Sequence, residues 1–407
     1  MIAAALLLLT TLVVLLPMLP ALIEWRWPTD VVPLPIDGQD ALDPPYLARS
    51  FVQQLANAMA RGQPRLGRSL IARAPLYGEL PLTERELQWA RSKRVWFAPG
   101  DLVLPPRVAF LGEVAAEGRL TTAADTVCRG LRACGHLVLA EHTTVLRWAH
   151  AAEVDVHSGC ELAGRISADE RINLLGPANF MLLHAPVLCF GTHPAQLDDA
   201  PPWTEFGGPR TAWGNSAARL TARPAGVCGG LPAPVVWNAV ARRGTCDGSL
   251  QVAAGSQWLG DLVCQGDLAL GPRCHASGSI KVQGDLLVGA GAHIAGSLVV
   301  GGRVDLGMGS VVLGSVVSEQ EIVLGAGCVI GAPGLLATVS APHIRVAPDV
   351  VVHGTIWALE SGRTQSFDAW ADEPERLDAA FVERREAVTS DWPEAWRDTR
   401  PRPGAQW

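Results

Sequence analysis

Between Gly260 and Gly331 the sequence repeats every 18 residues, and nothing else in the chain constrains its fold as strongly. Glycine returns at Gly260, Gly278, Gly296 and Gly314, again at Gly266, Gly284 and Gly302, and again at Gly271, Gly289, Gly307 and Gly325. Between these columns lie pairs of small or apolar residues two apart. The first coil carries Leu262 with Cys264, Leu268 with Leu270, and Cys274 with Ala276; the second carries Ile280 with Val282, Leu286 with Val288, and Ala292 with Ile294. Leu298 with Val300, Val304 with Leu306 and Ser310 with Val312 follow, then Val316 with Ser318, Ile322 with Leu324 and Cys328 with Ile330. Spacing of two is strand alternation, so both members of a pair face the same side. Three short strands between three glycine corners describe one turn of a triangular parallel β-helix. One coil cannot bury its own inner face, so such a chain is stable only by stacking coils about 4.8 Å apart.

The whole chain reads as an all-β parallel solenoid of about 18 residues per coil with an N-terminal transmembrane helix and short flanking helices. Residues 1–24 carry Ile2 to Ile23, an uncharged apolar run long enough to cross a hydrocarbon core of about 30 Å. No basic stretch precedes it and no small-residue cleavage site follows, which favours a retained anchor over a signal peptide. Trp25 and Trp27 stand where interfacial aromatics belong. Arg26 follows the span while only the amino terminus precedes it, which predicts a single-pass protein with its bulk in the cytoplasm. Nine cysteines without close pairing agree with a reducing compartment. Cys246 and Cys264 stack one coil apart and read as apolar filling.

Residues 25–100 read as linker and short helices: Tyr46 to Arg61 has apolar residues at helical spacing, and Thr83 with Glu86 forms a capping box opening a second helix to about Arg91. The first of these helices is expected to cap the solenoid. Looser pairs over 101–191, such as Val108 with Phe110 and Ile166 with Ala168, predict earlier coils. Residues 192–243 form a Pro-, Gly- and Trp-rich insertion, 244–358 the regular solenoid, and 359–407 a polar helix over Pro374 to Val388 with a tail.

Over about residues 248–354, runs such as GSIKVQGDLLVGAGAHIAGSLVVGG, with Gly278, Gly284, Asp285, Leu286 and Val288 in the family's pattern, resemble the bactofilins. That resemblance implies a right-handed β-helix that self-associates into filaments without nucleotide, often at the membrane, and organises cell-envelope proteins. The chain departs from the family's plan by its upstream coils, its insertion and its C-terminal helix; a capped end would block coil-to-coil addition.

The acidic balance (net charge −7, pI near 5.8) and the missing phosphate-binding glycine loop exclude nucleic acid and nucleotide as expected partners. The expected partners are the membrane, the chain itself and envelope proteins. No catalytic residue, cofactor or metal is predicted. His275 and His293 stack outward but Val311 continues their column, and Asp267 and Asp285 are followed by Arg303 and Glu321, a column read as solvated charge with partial pairing. An acyltransferase-like β-helix enzyme, for which His343 or His353 would be candidates, and an unpolymerised accessory subunit of a membrane complex are the alternatives. Val299, Val311, Leu313, Val317 and Val329 point outward on two adjacent faces and call for a cover or a partner.

Overall fold

Each inner residue of the regular stretch sits in register with the residue 18 positions on: Leu262 on Ile280 on Leu298, Leu268 on Leu286 on Val304 on Ile322, and Ala276 on Ile294 on Val312 on Ile330. These pairings come from a computed structural model, which describes residues 43–191 and 235–364 except 76–79 and 89, together with Arg26 and Leu231. It shows a parallel β-solenoid of about 13 turns with three walls. Wall A carries Asp261–Cys264 and its successors, wall B Leu268–Leu270, and wall C His275–Ala276. Leu262, Leu268, Leu270, Ile280, Val282, Leu286, Val288, Ile294, Leu298, Val300, Val304, Leu306, Ile322, Leu324 and Ile330 are each at most 2% exposed. A fully buried aliphatic side chain stabilises by roughly 1.5–3 kcal/mol, which is how two- to four-residue strands persist.

Close approach explains the corner glycines. A Cβ on Gly278 would stand against the Gly260 carbonyl, one on Gly296 against Gly278, and one on Gly271 within 2.5 Å of the Ala254 nitrogen. Of the predicted corner glycines, Gly260 alone has a positive φ, 105°. The left-handed residues lie instead on the B–C edge at Gly255, Arg273, Gly291, Gly309, Gly327 and Asp349, two positions beyond the Gly271 column where that column exists. Arginine and aspartate occupy this conformation there at some cost.

Two side-chain ladders hold the other corners. Asp261 accepts the Ser279 N–H at 3.0 Å, Ser279 that of Ser297 at 3.2 Å, Ser297 that of Ser315 at 3.1 Å, and Ser315 that of Thr338 at 3.1 Å. Asp267 likewise accepts the Asp285 N–H at 2.9 Å and Asp285 that of Arg303 at 2.9 Å. The partial pairing expected of this column is present at Arg303 and Glu321, 3.1 Å apart, and the aspartates do more than face solvent: each carboxylate caps a corner N–H of the next coil.

The parallel ladder begins with Ser69–Arg73 and Val95–Ala98, inside the stretch read as linker, and the last strand, Val350–Thr364, continues through residues 359–364. Helix α1 (Tyr46–Ala60) lies across the outer side of wall A rather than over an end. Its Phe51 and Leu55 pack with Val95, Ala115 and Trp148, and the Phe51 and Trp148 rings are 5.4 Å apart. Gly130 leaves the space that Trp148 fills. Helix α2 (Glu84–Gln88) opens with the expected capping box, Thr83 N–H donating to Glu86 at 2.9 Å, and stops before the strand Arg91–Ser92. The expected anchor at 1–24, most of the insertion and the helix at 374–388 lie outside the described residues. No helix among the described residues is long and apolar enough to cross a membrane.

The ladder is parallel everywhere along the coils but reverses once. Strand Ala178–Phe190, which ends the upstream coils, pairs antiparallel with Val350–Thr364, which ends the regular ones: Leu183 meets Ile356, and Leu188 meets Val352. The inner column of wall A therefore runs unbroken through Leu131, Ala149, Ile166, Leu183, Ile356, Val339, Val316 and Leu298. Upstream coils circulate B to A to C and the regular coils A to B to C, while both advance toward this junction. Reversing both circulation and axial direction leaves the two halves with one hand. At the outer end of the regular half a hairpin, Val236–Asn238 on Arg243–Cys246, covers the edge of wall A, with Leu231 and Val235 against the core.

Substituting Gly278→Ala is expected to destabilise the solenoid by about 1–3 kcal/mol, since the neighbouring atom is backbone and cannot swing away. Gly248→Ala, where nothing lies within 4 Å of the added carbon, serves as the control and should change the urea midpoint little. Equal midpoints for the two variants would contradict this account of the corners.

Candidate association surface

The five outward apolar residues expected to need a cover divide between two environments. Val299 and Val317 stack on wall A and are 46% and 38% exposed. Val311 and Val329 stack on wall C and are half-buried, as is Leu313. On wall A the strip continues past the regular repeats, because Val317 pairs with Ser340, Ser340 with Trp357, and Trp357 with Leu182 across the junction. Trp357 is 48% exposed, Leu359 51%, and Leu335 and Leu336, in the turn leading into wall A, 48% and 54%. These four were missed because Leu335 and Leu336 lie in an irregular turn and Trp357 in a coil whose register departs from 18. Elsewhere on the same half, outward residues are withdrawn from water: Ala269, Leu287 and Val323 on wall B, Val351 on wall C.

His275 and His293 stack with ring centroids 5.9 Å apart, followed by Val311. Among the described residues no group of three His, Cys, Asp or Glu is placed to hold a metal ion. His343 lies 2.9 Å from Ser361 and 3.4 Å from Glu360 at the surface. One constellation escaped the sequence: His150 Nδ1 is 3.0 Å from Ser167 Oγ, and its Nε2 is 3.6 Å from Asp169. Ser167 is only 2% exposed and lies in a strand paired on both sides, where the ladder engages the backbone N–H groups that an oxyanion would need.

Charge on wall B is paired: Glu321 takes Arg303 at 3.1 Å and Arg345 at 3.1 Å. Buried thiols are similarly inert. Desolvation pushes Cys128 and Cys328 up to about 12, and Cys246 and Cys264 are free thiols that both donate to the Gly248 carbonyl.

Two histidines bridge the junction. His184 Nδ1 lies 2.8 Å from Thr355 Oγ1, and His353 Nδ1 donates to the Pro186 carbonyl at 3.1 Å. Burial is the main cause holding both below the ordinary histidine value, and it does the same to His150.

No protein-family model matches the chain, and no curated protein or solved structure does.

The histidine shifts give stability a direction in pH. Each imidazole stays neutral in the fold while the unfolded chain protonates below about 6.5, so their contribution is present above that pH and lost as pH falls through it. The urea midpoint is expected to fall between pH 7.5 and 5.5, and to fall less in the variant His184→Gln with His353→Gln. An identical slope in the two proteins would show that these junction histidines do not carry the dependence.

Proposed function

We propose that this chain is a membrane-anchored, non-catalytic structural scaffold of bactofilin type that associates with itself or organises cell-envelope proteins through wall A. The observation that carries this reading is the exposed strip Val299, Val317, Trp357 with Leu335, Leu336 and Leu359 along one side of the solenoid. Exposed apolar residues grouped on one wall, here interrupted by Ser340, mark interaction sites. The right hand, the anchor at 1–24 and the cytoplasmic placement of the bulk belong to the same proposal.

The junction takes up one end of each half, and the exposed strip lies on the side of the solenoid rather than at an end. Coil-to-coil addition needs a bare edge. The upstream half uses its last edge on the regular half, and the regular half covers the wall A part of its first edge with Val236–Asn238. On wall A, α1 covers the upstream half and the strip from Trp357 to Val299 stays exposed. An acyltransferase-like enzyme is the competing reading, and it requires a cleft with converging donors that the His150 cluster does not supply.

Protein lacking residues 1–24 is expected to form filaments or sheets in negative stain, and Val317→Asp with Trp357→Asp to abolish them while leaving the solenoid's circular dichroism unchanged. A monodisperse trimer that is indifferent to both substitutions would overturn the scaffold reading in favour of the enzyme.

A further inference from the structure

Charge is placed unevenly along this chain, and the upstream end of the solenoid is where arginine collects. Residues 46–75 hold five arginines and no acidic residue, in a chain whose net charge is −7. Four of the five stand where the coils begin. Arg61 directly follows α1, Arg65 lies in the outermost strand of wall A (Arg65–Leu66), Arg68 in the turn after it, and Arg73 closes the next strand, Ser69–Arg73. The first strand of wall B, Arg91–Ser92, leads directly into Lys93. Arg61, Arg65, Arg68, Arg73 and Lys93 are all exposed, and none of them forms an ion pair with a described carboxylate. The described acids of the first coil are Glu84 and Glu86, beside Arg85 on α2, and Asp101; Glu86 faces Arg94 at 3.4 Å, and Asp101 accepts the Arg119 N–H at 2.7 Å. At the opposite end, by contrast, Arg243 lies 3.7 Å from Asp261.

Exposed apolar side chains stand among these cations. Leu70 is 47% exposed in the strand Ser69–Arg73, Leu87 60% on α2, and Val103 65% in Leu102–Val103, the first strand of wall C. Basic and aliphatic side chains on one surface suit an anionic bilayer, where arginine meets the headgroups and the aliphatics enter the boundary of the acyl chains. A nucleic acid would engage the cations and leave the leucines in water, and no described aromatic is exposed at this end for bases to stack on. The 22 residues 24–45, between the apolar run and α1, reach up to about 75 Å when extended. A tether of that length lets any face of the solenoid approach the bilayer, so charge selects the face.

We infer that the upstream end of the solenoid docks on an anionic lipid bilayer, with Arg61, Arg65, Arg68, Arg73 and Lys93 against the headgroups and Leu70 and Leu87 entering between them. The inference rests on the reading of the chain as membrane-anchored and gives that reading an orientation. The wall A strip around Trp357 then faces along the bilayer instead of into it, open to neighbouring copies on the same membrane.

The test reconstitutes the full chain, with Cys134→Ser and Cys228→Ser, into phosphatidylcholine vesicles with or without phosphatidylserine. A fluorophore is placed at Leu70→Cys or, as the control, at Val240→Cys, 98% exposed at the opposite end. A phospholipid carrying a nitroxide on its headgroup quenches whichever label meets the bilayer. In the anionic vesicles quenching at position 70 is expected to be several-fold above that at 240, and to be lost in high salt and in the variant Arg65→Gln with Arg68→Gln and Arg73→Gln. Each basic residue contributes about fivefold to the docked population, so the three together account for roughly 100-fold. Equal quenching at the two positions, or quenching at 70 that neither salt nor the triple variant reduces, overturns the docking. Resistance to alkaline carbonate extraction reports the anchor separately. A chain that resists extraction without quenching at 70 keeps its anchor and loses the docking, whereas one that is extracted yet quenched at neutral pH keeps the docking alone. Tighter binding to single-stranded RNA than to anionic vesicles at the same salt would give this end to nucleic acid and also overturn the inference.

Discussion

Everything in this molecule depends on one coil lying squarely upon the next. A rung of two to four residues has almost no stability of its own, and its inner side chains are shielded only when the rungs above and below present aliphatics at the same positions. That requirement fixes the coil length, excludes side chains where corner backbones touch, and leaves the corner N–H groups to be satisfied by whatever stands one coil earlier. The Asp261–Ser279–Ser297–Ser315 ladder is the polar counterpart of the Leu268–Leu286–Val304 stack. Both repeat because the backbone beneath them repeats.

Stacking also creates a problem at each end, where a rung has unpaired backbone on one side. The chain handles it in two ways. Inside, the two halves pair their last rungs antiparallel, so that each covers the other's edge with Leu183 on Ile356 and Leu188 on Val352. Outside, a short hairpin pairs the first wall A strand of the regular half. On the side of the solenoid, α1 and the Trp357 strip share a wall.

The regular coils were legible because a period of 18 with glycine corners leaves no other economical arrangement, and Leu262 through Ile330 are buried in the positions the pattern assigns. The upstream coils were harder to bound. There Cys128, Val145 and Leu162 step by 17 instead of 18, and bulky residues such as Trp96 and Phe110 fill the interior where the later coils use Leu and Val. The antiparallel junction leaves no local mark, since the pairing of Phe180 with Gly362 joins residues far apart in sequence. Nor could spacing distinguish an aspartate that caps a corner from one that merely faces solvent. Of the association surface, Val299 and Val317 were visible as outward apolars in regular strands, whereas Trp357 and Leu359 required knowing that the last strand runs on to Thr364.

The antiparallel seam has a consequence for biosynthesis. A nascent chain leaves the ribosome with Ala178–Phe190 complete but its partner still unmade; 174 residues separate Phe190 from Thr364. At bacterial or eukaryotic elongation rates of about 5–20 residues per second that is roughly 10 to 35 s during which a long, apolar strand edge stays open. Polysomes carrying several such chains bring those edges close together, so the newborn protein is most vulnerable to mispairing not when it is unfolded but when it is half-built.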